Sequence, residues 1–220
     1  MGQGSSSNAH LRFADQSDAV QRDALISIVR GCQPLMAAFS QARALDLPDW
    51  WIVSGAIYNQ VWNHLTDKPD LYGVKDIDLF YFDPDTSYEA EDRVIGQAAQ
   101  HFDTPVPVEV RNQARVHLWY KNHFGQGYDP LTKSTDGIDN FALKTHAVGM
   151  RLTADNKFEL YAPFGLNDIF GFRLVPHTAR DNRATHEAKA LRQMKLWPEL
   201  TFIPWPEAAL TTAEGDADDR

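Results

Sequence analysis

Apolar positions recur with helical spacing between Ser17 and Arg30. Val20, Leu25, Ile28 and Val29 approximate one face there, and Ser17 stands where a cap belongs. Gly31 can end that helix. Pro34 can open a second one through Leu35, Met36, Phe39, Ala42 and Leu45. Pro48 and Asp49 break the pattern. Trp50-Trp51-Ile52-Val53 then reads as a short buried strand, Ser54-Gly55-Ala56 as a tight turn, and Ile57, Val61, Trp62 and Leu65 as a helix starting directly after the glycine. After a loop over Thr66–Asp70, Ile77 to Phe82 forms a second strand, stopped by Asp83-Pro84-Asp85. Glu89 to Phe102 is helical in pattern, Pro107 to Val110 is a third strand, and Val116 to Phe124 is a helix ended by Gly125-Gln126-Gly127. Ala147–Arg151 and Lys157–Tyr161 flank Asp155-Asn156 as a hairpin, and Arg183–Trp197 is a last helix, stopped by Pro198. Helices alternating with strands predict an α/β or α+β domain with a sheet of about four to six strands.

Composition narrows this only a little. The 220 residues are 43% hydrophobic and 23% charged, with a mean hydropathy of -0.42, which suits one globular core and excludes a fibrous or largely unfolded chain. No apolar run approaches the ~20 residues of a membrane span. The first ten residues lack the basic flank and apolar stretch of a secretory signal. They fit the loose Gly2/Ser6 pattern for myristoylation, but a floppy leader is the simpler expectation. The expected organisation is a flexible leader over 1–16, a single domain over 17–206 and an acidic, disordered tail over 207–220. Cys32 is the one cysteine, so the chain makes no internal disulfide, and a cytoplasmic location is expected. The net charge is -9, of which the last ten residues hold -3. An acidic body disfavours long nucleic acid as a partner but leaves room for a local basic pocket.

The sharpest chemistry lies in Lys75-Asp76-Ile77-Asp78-Leu79-Phe80. Side chains at i and i+2 of a strand share a face, so Asp76 and Asp78 stand together. Two neighbouring carboxylates repel, and keeping both ionised calls for a cation. Magnesium suits them, because it takes oxygen ligands and leaves positions for phosphate oxygens. Glu109, framed by Val108 and Val110 on another short strand, is placed to join the pair. Three acids on adjacent strands can hold divalent ions for in-line phosphoryl chemistry. The bland alternative is an Asp-x-Asp surface turn with a solvated Glu109. The order of elements argues against it: strand, glycine turn, helix, acidic pair on a strand, single acid on a strand. The Ser54-Gly55-Ala56 turn lets backbone N–H groups approach an anion at the positive end of a helix.

Together, Gly55-Ala56, Asp76-x-Asp78 and Glu109 resemble the polymerase-beta-type nucleotidyltransferase superfamily, and within it a little-characterised bacterial nucleotidyltransferase-like family. Further segments that carry the resemblance are Ile57-Tyr58-Asn59, Val61-Trp62-Asn63, Tyr81-Phe82-Asp83, Val110 to His117, Ala162 to Asp168 and Trp197-Pro198-Glu199-Leu200. The match runs from about residue 20 to residue 205. It implies a polymerase-beta-like core with a mixed sheet flanked by helices, and a nucleoside triphosphate held with Mg2+ (or Mn2+). Asp76, Asp78 and Glu109 become the catalytic and metal-binding residues, with Glu109 binding a second ion or helping to deprotonate the acceptor. Backbone groups around Ser54, Gly55 and Ala56 hold the triphosphate. Two departures stand out: Ala56 replaces the serine of many members, and the stretch from Gly55 to Asp76 is long, so a loop over Asp67–Gly73 can overhang the site.

Arg111, Arg115 and His117 follow the Glu109 strand and are candidates for neutralising phosphate or acceptor charge, against an ordinary salt-bridged cluster. Lys189, Arg192 and Lys195 share one helix face; Lys189 joins Arg111 and Arg115 as a cofactor-binding candidate, although a solvated face is the plainer reading of the trio. Asn112 can bind a sugar or cap a turn. The tryptophans read as packing, the histidines show no zinc spacing, and Asp168 reads as a helix cap. The expected activity is transfer of a nucleoside monophosphate from a nucleoside triphosphate to an unidentified acceptor, a small molecule or a protein hydroxyl. The alternatives are a non-catalytic nucleotide-sensing or partner-binding module and a metal-dependent phosphohydrolase.

Overall fold

The structure, a computed structural model, describes residues 8–125 and 127–207. Helix α1 (Asp18–Gly31) starts on Ser17, whose Oγ accepts the Val20 N–H, as the sequence predicts. Helix α2 (Gln33–Leu45) carries Pro34 in its first turn and ends at Asp46 in the left-handed region. There follow β1 (Trp51–Val53), α3 (Gly55–Leu65), β2 (Ile77–Tyr81), α4 (Tyr88–His101), β3 (Val108–Asn112) and α5 (Val116–Phe124). Then come α6 (Ser134–Asp139), β4 (Gly149–Leu152), β5 (Phe158–Tyr161), α7 (Asn167–Phe170), β6 (Arg173–Leu174), α8 (Arg183–Met194) and β7 (Thr201–Phe202).

Five strands form one mixed sheet in the order β3-β2-β1-β4-β5, with β2 and β3 parallel and the other pairs antiparallel. Alternation along β2 and β3 divides the sheet into two faces. Ile77, Leu79, Tyr81 and Val110 point into the main core, where α1, α2 and α3 supply Leu25, Val29, Phe39, Ile57 and Trp62. The opposite face carries a smaller apolar cluster: Trp51, Val53, Ile138 and Ala147, with Phe80, Phe141 and Tyr161 against it. Trp197 is fully buried and donates its indole N–H to Asn63 Oδ1 at 3.0 Å. Among the described residues, no helix is long and apolar enough to cross a membrane.

Residues 8–16 depart from the expected leader. The Phe13 ring meets Phe170 edge-on at 5.6 Å, and Gln21 Nε2 donates to both Phe13 O and Asn167 Oδ1 at 2.9 Å. Two aromatic side chains in this stretch, His10 and Phe13, find apolar partners, and that contact outweighs the freedom of a loose end. Residues 1–7 and the tail from 208 lie outside the described residues. Asp168 falls inside the first turn of α7 rather than at its cap; its carboxylate stands 3.7 Å from Arg173. Asn167 is the anchoring residue there, exchanging hydrogen bonds with Asp15. Helix α6 and the β6–β7 pair were not predicted. The two strands are two residues each, too short to show alternation.

Candidate active site

Asp78 pairs in register with Glu109 across the parallel β2–β3 ladder and with Val53 across β1. Registered partners share a face, so Asp78 and Glu109 project to the same side, as Asp76 does two positions before Asp78. That is the convergence expected from the sequence, on the face away from the main core. Asp76 and Asp78 are half-buried, and Glu109 is more exposed. Burial first, and the Asp76 carboxylate second, push the Asp78 carboxyl up to about 6 from its ordinary 3.8, against the pull of Lys189. Glu109 is bound to Arg111 at 3.2 Å. No three acidic, histidine or cysteine groups among the described residues already stand as a closed metal cage.

A polar pocket of about 200 Å³ opens beside the acids. Its walls include Ser54, Gly55, Lys75, Asp76, Asp78, Lys189 and Arg192. Ser54 links β1 to α3 with φ 57° and ψ -117°, a strained conformation for a side-chain-bearing residue, held by its N–H donating to Val148 O at 2.8 Å. The strain buys a strand-to-helix reversal sharp enough to open α3 at the pocket. The Ile57 and Tyr58 N–H groups donate to Ser54 O, which leaves the Gly55 and Ala56 N–H groups outside the helix's own hydrogen bonds, where they offer donors and partial positive charge. Ala56 itself is fully buried in the core, which explains an alanine: its side chain packs, and only its backbone belongs to the turn.

The 67–73 loop is pinned to α3 instead of hanging free. Gln60 bonds Asp70 Oδ1 and the Leu71 N–H, and Asn63 Nδ2 donates to Tyr72 O. Gly73, at φ +71°, lies so close to Trp197 that an added Cβ would come within 2.6 Å of the ring. The end of this loop, Gly73 to Lys75, forms one pocket wall.

Helix α8 delivers the cations. Lys189 and Arg192 line the pocket, Lys189 partly buried and Arg192 exposed; Lys195 is exposed and outside the lining. Burial lowers the Lys189 ammonium, and Asp78 partly offsets that. A buried chain positions the helix: Gln193 Nε2 donates to the Tyr58 hydroxyl at 3.0 Å, Gln193 Oε1 stands 3.0 Å from His146 Nε2, and the His146 ring stacks on Tyr58 at 4.4 Å. The sequence marks Tyr58 only as part of the Ile57-Tyr58-Asn59 segment and Gln193 not at all, since their partnership spans 135 positions.

Arg115 is not brought to the pocket. It donates to Ser87 O and stands 3.1 Å from Glu91, tying α4 to the end of β3. His117 lines neither this pocket nor the neighbouring cleft. Asn112 is a turn residue, accepting from the Asp83 and Ala114 N–H groups. Trp119, read as packing, is exposed on α5 and lines a cleft next to the site.

Among solved structures, an NMR structure described as revealing a CCA-adding enzyme head domain is similar to this chain. The two share 30% identity at a TM-score of 0.63, over 84% of this chain and 96% of that one. A search of curated proteins finds no match. A family model described as nucleotidyltransferase matches residues 40–202, a span that takes in the strained turn, all three acids and the cationic helix; the chain belongs to that nucleotidyltransferase family.

Proposed function

We propose that the protein transfers a nucleoside monophosphate from a nucleoside triphosphate, bound with magnesium or manganese, to a hydroxyl of a small molecule or a protein. The observation that carries this is the Asp78–Glu109 register on the face that also opens the cationic pocket. The donor set suits a hard cation: carboxylate oxygens, plus the Asn59 Oδ1, which lines the pocket buried and without a hydrogen-bond partner. Asp76 and Asp78 would hold the ion, with Glu109 joining once it releases Arg111. Such an ion supplies charge neutralisation to the phosphate oxygens.

The chain's own groups do the rest. The first turn of α3, Lys189 and Arg192 bind the β- and γ-phosphates and stabilise charge building on the leaving pyrophosphate. Tyr58, Gln193 and His146 hold Lys189's helix in place. Glu109 accepts the proton of the attacking hydroxyl. The Glu109–Arg111 pair is the one observation that favours the non-catalytic, nucleotide-sensing alternative.

The test is incubation with each α-labelled triphosphate, magnesium or manganese, and cell extract, followed by separation of labelled products. A labelled adduct with pyrophosphate release, lost in Asp78→Asn, is the expected result. Nucleotide binding without pyrophosphate release under any acceptor identifies a sensor, and free monophosphate alone identifies a hydrolase.

A further inference from the structure

A second concavity, about 230 Å³, continues from the acids along the same sheet face. The route is set by strand periodicity: Phe80 stands two positions past Asp78, and Arg111 two past Glu109. Its walls are aromatic. Phe80 stacks against Phe141 at 5.8 Å and 19°, and Trp119 and Tyr128 also line it, with Gln113, Asn140, Asn182 and Thr185 among its polar members. Lys189 lines both this cleft and the phosphate pocket, so the two meet at that side chain, beside Asp78.

We propose that this cleft is the acceptor site, and that the acceptor is a small hydroxyl compound bearing a planar ring. The inference rests on the transferase function proposed above. In an in-line displacement the attacking oxygen and the leaving pyrophosphate lie on opposite sides of the α-phosphorus. The helix turn, Lys75 and Arg192 fix the leaving side at the polar pocket. The attacking side is therefore the aromatic cleft, and the third carboxylate is tied to it through its partner: Glu109 lines neither cavity but is paired with Arg111, which lines the cleft and not the phosphate pocket. Flat walls select a planar ring by stacking, and polar side chains such as Asn182 and Thr185 can bond its edge. The volume suits a small molecule, and the chain's net charge of -9 opposes a polynucleotide. In the reaction, the acceptor oxygen forms a bond to the α-phosphorus. The bridging bond between the α- and β-phosphates breaks, its electron pair leaving with pyrophosphate. The hydroxyl proton passes to the Glu109 carboxylate and then to water.

The experiment uses the full chain with magnesium and a non-hydrolysable triphosphate analogue at saturation. Saturation-transfer NMR then follows three ring alcohols (pyridoxine, guanosine and 4-hydroxybenzyl alcohol) and two ring-less ones, ribitol and glycerol. At least one ring alcohol is expected to bind tenfold more tightly than ribitol with the analogue still bound. Trp119→Ala and, independently, Thr185→Val should weaken that binding tenfold while analogue affinity stays within twofold and the melting temperature is retained. Equal binding of ring and ring-less alcohols overturns the proposal. Displacement by the analogue, or a matching loss of analogue affinity in Trp119→Ala, also overturns it and assigns the cleft to the nucleotide's own base. Failure of the transferase function reads differently: the analogue itself would not bind, or would bind without dependence on Asp78.

Discussion

Replacing Asp78 with Asn should abolish transfer and, in the absence of divalent cation, make the protein more stable at neutral pH. The carboxyl titrates near 6 in the fold against an ordinary 3.8, because burial and Asp76 disfavour its charge. A carboxyl raised in this way favours the folded state while protonated. Its contribution is fully present below pH ~4, is lost as pH rises through about 6, and is absent at pH 8. A gap of about 2 pH units corresponds to ~3 kcal/mol, and solvent screening at a half-buried position reduces that to about 2 kcal/mol. For a chain of this size that is a rise of roughly 4–8 °C in melting temperature for Asp78→Asn at pH 8. The near-isosteric amide carries no charge, so the difference should vanish at pH 4. Thermal unfolding of both proteins in EDTA between pH 4 and 8 measures it. Saturating magnesium should reverse the order, since a ligand present at 100 times its Kd adds ~2.7 kcal/mol to the wild type alone. A melting difference that is constant across this pH range, or an Asn variant less stable than wild type at pH 8 without cation, refutes the electrostatic account of the pair.

Three further outcomes can be checked. Lys189→Met removes the cation that opposes the Asp78 shift and a phosphate contact, so kcat/KM for the triphosphate should fall about 10- to 100-fold and the acidic limb of the pH–rate profile should move to higher pH. Gly73→Ala forces a Cβ against the Trp197 ring at φ +71° and should cost about 2–4 kcal/mol in urea denaturation. Arg115→Met should lower stability by about 1–3 kcal/mol, because it strands the half-buried Glu91, while triphosphate affinity measured by calorimetry stays unchanged.

What was legible in the sequence was what short-range periodicity encodes. The i, i+2 placement of Asp76 and Asp78 and the strand-glycine-helix order needed only a few consecutive residues, and Glu109 needed only the guess that its strand lies next to theirs. The misplacement of Arg115 originates in a turn. After β3 the chain makes a short 3-10 turn over Gln113–Arg115, which swings Arg115 toward Glu91 while Arg111, still on the strand, keeps the face of Glu109. Spacing alone treated the two arginines alike. Lys189 and Arg192 looked like a solvated helix stripe because the pocket they line, which desolvates Lys189, is built with α3 and β2, more than a hundred positions earlier. The aromatic cleft draws on β2, α5, α6 and α8, and no local pattern reports such an assembly.

The charge arrangement explains how an acidic protein can hold three converging carboxylates before any ligand arrives. Each strand brings an acid with a cation from the same chain nearby: Asp78 feels Lys189, and Glu109 is bonded to Arg111. The second pairing is too shallow to be permanent, because Arg111 and Glu109 are both nearly half exposed and an ion pair at that exposure is worth no more than ~1 kcal/mol. Lys189 is the more buried of the two cations, and its charge is already penalised by desolvation, so a triphosphate offers it a better partner than a single carboxylate does. One exposed ion pair and one longer-range attraction thus offset the acids' charge in the free protein, and both cations can turn to a ligand. A fully buried pair in either place would be costly to break, since each ion would be left uncompensated when its partner turned to the ligand.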